Sequence, residues 1–249
     1  MASYNRKELI LDYMRTKSRF VTVEQLCQLL YVSGATIRRD LAELESSHLI
    51  RRTRGGAILV EGSASDDPLA MRENKNAIKK QMIATQALHH VRDGMTLFLD
   101  SSSTVFTLAR NLDRFNNLRV ITNGLKTSLL LSDFKGVRVM CTGGTLRENS
   151  KSLVGPAAIE FISKLNADLT FLSCRGFSIQ NGASEASENE FYVKQQFIAN
   201  SKSSVLLCDS SKMDIEYLCR LGPLSRFAEV ITERKDINDL CRQSVRQAI

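Results

Sequence analysis

From residue 95 onward, short apolar runs alternate with helix-length segments, and this alternation limits the possible folds more than any other feature of the chain. The runs are Met95–Leu99, Leu118–Thr122, Val137–Cys141, Leu169–Cys174, Ser204–Cys208 and Ala228–Ile231. Between them, helical patterns fall near 104–112, 124–132, 156–165 and 188–200, and a last helix is expected over 236–247. Apolar strands alternating with helices predict an α/β domain whose mostly parallel sheet is covered by helices on both faces. Ligand sites in such sheets lie at the carboxyl ends of the strands.

The first 60 residues read differently. Leu9, Ile10, Tyr13 and Met14 set a helix over 4–17, followed by a short extended stretch at Phe20 and Val21. Thr22 is a good N-cap for a second helix carrying Val23, Leu26, Leu29 and Leu30. Tyr31–Val32–Ser33 breaks that helix. Ser33 can cap a third over 34–47, with Ile37, Leu41 and Leu44 inward. Leu49–Val60 reads as a hairpin turning at Gly55–Gly56. The expected organisation is a winged helix-turn-helix over 1–60, a linker over 61–74, and a larger domain over 75–249 that senses an effector and oligomerises. That domain opens with a helix over 75–91 whose Ile78, Met82, Ile83 and Leu88 face inward.

Charge supports a polyanionic partner for the first unit. The formal net charge is +7, and residues 1–60 hold ten Lys and Arg against six Asp and Glu, a net +4 in under a quarter of the chain. The third helix would present Ser33, Ala35, Thr36, Arg38 and Arg39 to a major groove, and the hairpin would bring Arg51, Arg52 and Arg54 to the backbone or minor groove. Any one of these arginines alone is better read as a solvated surface charge; the constellation points to double-stranded DNA. Asp40 is expected to pair with a neighbouring arginine and orient it.

In the second domain, polar residues collect where strands end. Asp100-Ser101-Ser102-Ser103-Thr104 lies between a strand and a helix, a setting that suits an anion or a plain helix cap. Thr122-Asn123, Gly143-Gly144, Arg175 and Asp209 through Lys212 end later strands. Lys194 and Lys212 are the cations proposed for a phosphate, although either alone fits an exposed surface lysine. Arg175 is read either as an anion-binding group or as a surface residue.

Val32-Ser33-x-x-Thr36-Ile37-Arg38-Arg39-Asp40-Leu41, followed by Leu49-Ile50-Arg51-Arg52-x-x-Gly55-Gly56-Ala57, resembles the DeoR family of sugar-metabolism regulators. Asp100–Thr104, Ile121-Thr122-Asn123, Gly143-Gly144, Val154-Gly155, Glu190-x-x-x-Lys194 and Asp209-x-Ser211-Lys212 resemble that family's C-terminal domain. The resemblance implies a fold similar to ribose-5-phosphate isomerase and CoA transferases. It also implies a repressor of a carbohydrate operon released by a phosphorylated sugar-like effector. The family often has His where this chain has Arg54. It has Gly in the first loop where this chain has Ser101 and Ser102, and a Gly-x-Asp-Gly-like segment where this chain reads Cys174-Arg175-Gly176-Phe177.

Other classes have less support. Six cysteines form no CxxC pair and the three histidines show no zinc spacing, so no metal or cofactor is expected. Cys141, Cys174 and Cys208 end apolar runs and read as buried thiols of a cytoplasmic protein. No signal peptide or membrane-length apolar run is visible. A sugar-phosphate isomerase-like enzyme would need a poised acid/base pair; Asp100, Glu185, Glu190 and Asp209 are available, but their spacing forms none. A C-terminal domain that only oligomerises is a further alternative. A homodimer or homotetramer is expected, because one winged helix reads too short a site.

Overall fold

The computed structural model describes residues 3–46, 49–59 and 68–247, which fall into two compact units, 1–71 and 72–249. Val60 and linker residues 61–67 lie outside the described residues.

The first unit contains α1 (Ser3–Thr16), β1 (Phe20–Thr22), α2 (Val23–Leu30), α3 (Gly34–Ser46), β2 (Ile50–Thr53) and β3 (Gly56–Leu59). Thr22 opens α2 with a capping box, its hydroxyl accepting from Gln25 N while the Gln25 side chain accepts from Thr22 N. Such a cap contributes about 1 kcal/mol. Tyr31 closes α2 in the left-handed region (φ 54°), and Ser33 Oγ accepts from Thr36 N as α3 begins. The extended stretch at Phe20 becomes a third wing strand, giving the antiparallel order β1-β3-β2. A side chain at Gly56 would place its Cβ 2.2 Å from the Val21 carbonyl oxygen, so only glycine lets these strands close. Ile10, Met14, Leu26, Ile37, Leu41, Leu44 and Ala57 form the core.

Residues 69–74, assigned from the sequence to the linker, form a helix, α4 (Leu69–Asn74). Asn76 (φ 56°) separates it from α5 (Ala77–Ala87), and a 3-10 turn over Leu88–His90 follows. The inward face of α5 is Lys80, Ile83, Ala84 and Ala87. Ile78 and Met82, expected inward, are instead 79% and 47% exposed. Helix α5 packs closely on α6, which its alanines permit.

The second unit continues with β4 (Thr96–Leu99), α6 (Ser103–Ala109), β5 (Leu118–Thr122), α7 (Leu125–Ser132), β6 (Val137–Cys141), β7 (Thr145–Arg147), β8 (Ser152–Val154), α8 (Pro156–Ser163) and β9 (Leu169–Leu172). It ends with β10 (Gly176–Ser178), β11 (Gly182–Glu185), α9 (Glu188–Ala199), β12 (Ser204–Leu207), β13 (Cys219–Gly222), β14 (Glu229–Ile231) and α10 (Lys235–Gln247). The six expected strands form one parallel sheet in the order β14-β12-β9-β4-β5-β6. Its central strands are buried along their length, as runs with no polar alternation require. Leu97, Leu99, Val105, Leu108, Val120, Phe171 and Val205 fill one face, and Phe98 and Phe197 stack on the other with ring centroids 4.9 Å apart. Two antiparallel additions were not foreseen: the β7–β8 hairpin and the small sheet β10-β11-β13. Cys174 and Cys208 are buried, but Cys141 is only half-buried.

Candidate functional site

The first unit presents a basic face. Ser33, Ala35, Arg38 and Arg39 on α3 are exposed, Thr36 is half-buried, and Arg51, Arg52 and Arg54 are exposed on the wing. Among the described residues Arg38, Arg39, Arg51 and Arg54 form no ion pair. Two expectations change. Arg52 is bound to Glu45, its Nε 2.6 Å from Oε2, while its backbone N–H donates to Oε1 at 2.8 Å. Asp40 pairs with Arg6 of α1 rather than with a neighbouring arginine, accepting from Nε at 2.7 Å and Nη2 at 3.1 Å. This pair fastens α3 to α1 from inside and leaves Arg38 and Arg39 outside. Ser33 and Thr36 also bond each other through their hydroxyls at 3.0 Å, so both share their capacity with the helix start. Sequence reasoning passed over Tyr31, which is 93% exposed at the turn leading into α3.

In the second unit a buried polar cluster occupies the carboxyl edge of the parallel sheet. Asp100 follows β4; its Oδ1 accepts from Ser102 N and its Oδ2 from Ser173 N, both at 2.9 Å, tying the ends of β4 and β9 together. Lys194 of α9 donates to the Ser173 carbonyl at 2.8 Å, pairs with Glu185 and lies 3.4 Å from Asp100 Oδ2. Burial alone would push the Lys194 ammonium toward neutrality, but Glu185, Asp100 and Glu190 outweigh it and raise its pKa above the usual value. Burial likewise opposes charge on Glu185, yet Lys194 and Arg175 hold its pKa below the carboxylate range. Arg175 Nε is 3.5 Å from Glu185, which makes it part of the cluster. Glu190 accepts from Arg147 at 3.2 Å and from Ser101 Oγ at 3.3 Å, and it also bonds Ser152. Lys212 donates to Ser173 Oγ at 3.0 Å and to the Cys174 carbonyl at 2.8 Å.

Ser102 caps α6, and Ser103 and Thr104 are buried in its first turn. Thr122 Oγ1 accepts from Gly124 N at 3.0 Å; a Cβ at Gly124 would come within 3.1 Å of Ser101 Cα, so the β4 and β5 loops touch. Asp209 caps its own 3-10 turn and accepts from Asn76 Nδ2 at 3.0 Å. Gly143 and Gly144 are exposed in the turn from β6 to β7. Gly144 has φ 108°, and a Cβ there would meet the Val154 carbonyl oxygen at 2.5 Å, so its described role is to shape the hairpin. Two buried side-chain oxygens at this edge, Thr104 Oγ1 and Asn123 Oδ1, have no hydrogen-bond partner among the described residues. Asn123 Nδ2 already donates to the Leu153 carbonyl, which fixes the amide with its oxygen unused.

Arg72, Lys80 and Arg147 were missed by sequence reasoning. The Arg72 guanidinium is buried; burial and the nearby Arg175 lower its pKa to about 10 against the pull of Glu190, Glu185 and Asp100. Lys80 donates to the backbone carbonyls of Arg72 and Lys75. Nothing in the sequence marks Arg72, because it lies in a stretch that reads as linker. Arg147 rides on a hairpin too short to register as strands.

A DeoR-like helix-turn-helix domain model matches residues 6–62, and a DeoR C terminal sensor domain model matches residues 75–234. This chain belongs to the DeoR family of transcriptional regulators. It is 34% identical over 92% of its length to the uncharacterized HTH-type transcriptional regulator YulB of Bacillus subtilis (strain 168), covering 88% of that protein. It is 32% identical over 94% of its length to the glycerol-3-phosphate regulon repressor of Escherichia coli (strain K12), covering 92%. Ribose 5-phosphate isomerase A from Methanocaldococcus jannaschii is similar in structure at a TM-score of 0.41 and 16% identity; 55% of each chain is covered, so the chain spans little more than half of that enzyme. This DeoR-family chain is therefore a DNA-binding regulator with a sensor domain. Among its described residues no helix is long and apolar enough to cross a membrane.

Proposed function

We propose that this regulator represses a carbohydrate operon by binding its operator as a symmetric oligomer, and releases it when a phosphorylated sugar-like metabolite enters the carboxyl-edge cluster. The observation that carries the reading is charge. Arg175, Lys194 and Lys212 lie among Asp100, Glu185 and Asp209 at this edge, and Arg72, Lys80 and Arg147 bring further basic groups beside them, so cationic side chains gather in a largely buried cluster. A phosphate monoester carries roughly −1.5 to −2 at neutral pH and suits such a concentration of cations. The unused oxygens of Thr104 and Asn123 suit the hydroxyls of a polyol, since a buried unpaired oxygen costs about 1–3 kcal/mol. Glycerol-3-phosphate, in the name of the Escherichia coli relative, belongs to the same ligand class.

The same cluster is poorly set up for catalysis. A general acid or base works best with a pKa near the operating pH. Here Lys194 is driven further toward its charged form, Glu185 likewise, and both Asp100 oxygens are engaged by backbone N–H groups.

Arg72 carries its charge into this cluster, so an entering anion draws on it directly.

The test is a panel of sugar phosphates, matched free sugars and inorganic phosphate, read by thermal shift and by operator gel shift. At 100-fold excess over Kd, a ligand raises native-state stability by about 2.7 kcal/mol. The expected result is a higher Tm and operator release with a phosphorylated member only. An Arg72→Met variant should retain the operator while needing at least 10-fold more ligand for release. If no ligand shifts Tm at millimolar concentration, the domain serves only oligomerisation and the sensing reading fails.

A further inference from the structure

Two of the three histidines are adjacent, and no sequence spacing relates them to a third ligand. The fold supplies one. His89 and His90 end the 3-10 turn after α5, and Glu229 opens β14. One ligand atom from each of the three lies within 4.8 Å of the others. His90 Nε2 is 2.8 Å and His89 Nε2 3.5 Å from the same oxygen, Glu229 Oε2. Ligand atoms on a tetrahedral zinc, with bonds of about 2.0–2.1 Å, lie roughly 3.3 Å apart. The two histidine–carboxylate separations bracket that edge and the third lies within 4.8 Å, so modest side-chain adjustment brings all three ligand atoms into range.

The surroundings orient the three groups. His89 Nδ1 bonds the Gln86 carbonyl; with the proton on Nδ1, Nε2 presents its lone pair. Arg242 of α10 donates to Glu229 Oε1 at 2.7 Å, which leaves Oε2 as the oxygen facing the histidines. The His90 ring packs edge-on to Phe171, with centroids 6.4 Å apart. Hydrogen bonds to the far side of an imidazole and of a carboxylate are the outer partners that metal ligands commonly use. The His89 side chain is 60% exposed, so solvent can complete the coordination.

We infer that His89 Nε2, His90 Nε2 and Glu229 Oε2 form a binding site for a divalent transition metal of the zinc class. Two imidazole nitrogens and one carboxylate oxygen suit zinc or cobalt and not magnesium or calcium, which prefer all-oxygen shells. The site lies at the amino end of β14, whereas the effector cluster lies at the carboxyl edge of the same sheet. A metal here ties the end of α5 to an edge strand and, through Arg242, to α10. Because the three ligands converge only in the fold, occupancy stabilises the folded domain.

The test uses full-length, tag-free, chelator-treated protein titrated with Co(II) and then Zn(II). The expected result is one equivalent of Co(II) with weak visible absorption of nitrogen and oxygen ligation, displaced by Zn(II), and a Tm that rises with Zn(II) but not with Mg(II). His89→Ala, at an exposed position, and Glu229→Gln should each weaken binding at least 10-fold. Arg242→Met, which leaves all three ligands in place, should weaken it about 10-fold. Intense thiolate charge-transfer bands, unchanged affinity in His89→Ala, or no Co(II) signal at 100 µM metal, a deliberately generous ceiling of order 10⁻⁴ M, would each overturn the assignment.

Discussion

Asp40 and Arg38 are two residues apart on one helix and do opposite work. Asp40 is 1% exposed and both its oxygens are held by Arg6, so its charge is spent on fixing α3 against α1. Removing one partner of such a buried pair typically costs about 3–5 kcal/mol, because the other charge is left stranded. Arg38 and Arg39 are exposed and their loss leaves no buried charge behind. Replacing either with Ala is expected to weaken operator binding about 10-fold or more, at the 1–3 kcal/mol of a bidentate base contact, while Tm stays within about 1 °C. Gel shift and thermal melting check this together; unchanged affinity would remove α3 from the DNA face. That α3 has an inner and an outer face was legible from its periodicity. That Asp40 turns to Arg6 was not, because a partner 34 residues away is set by how α1 crosses α3.

Helix α5 shows how apolar content can mislead about which side of an element is buried. Ile78 and Met82 suggested an inward face, but the buried positions are Lys80, Ile83, Ala84 and Ala87. Asn76 in the left-handed region sets the start of the helix and hence its rotation, and the alanines let α6 approach closely. Ile78→Lys is therefore expected to change stability by less than about 0.5 kcal/mol, whereas Ala84→Leu should cost about 1–3 kcal/mol by overpacking. Chemical denaturation of the two variants separates them; equal losses would contradict the observed rotation. The parallel strands were legible because apolar residues dominate each run, with Arg119, Arg138 and Glu229 as isolated charged interruptions. The β7–β8 hairpin and the sheet β10-β11-β13 have strands of three and four residues rich in Gly, Ser and Thr, which locally look like loops.

At the scale of the molecule, the gathering of polar side chains at the carboxyl edge of the sheet was legible before its full membership was. Ser101 through Thr104, Asn123, Lys194 and Lys212 follow strand ends or a recognisable motif. Arg72 and Arg147 reach the same cluster from segments with no regular pattern, and only burial reveals them. A single α3 and wing cover one half-site, so operator selection calls for at least two copies. Size-exclusion chromatography with light scattering should give a dimer or tetramer at micromolar concentration; a monomer under conditions of full operator binding would contradict the symmetric assembly.

The sheet order also sets a timetable during synthesis. The core of the winged helix-turn-helix is made by residues from Ile10 to Leu59, all close in sequence. In the sensor, central β4 must wait for β9, with Leu99 paired to Phe171. At about 5–20 residues per second, roughly 110 further residues take on the order of 10 s to emerge after Leu59. Local contacts form quickly and distant ones slowly. Each new copy thus passes through an interval in which its DNA reader can be complete while the domain that governs it is still being made.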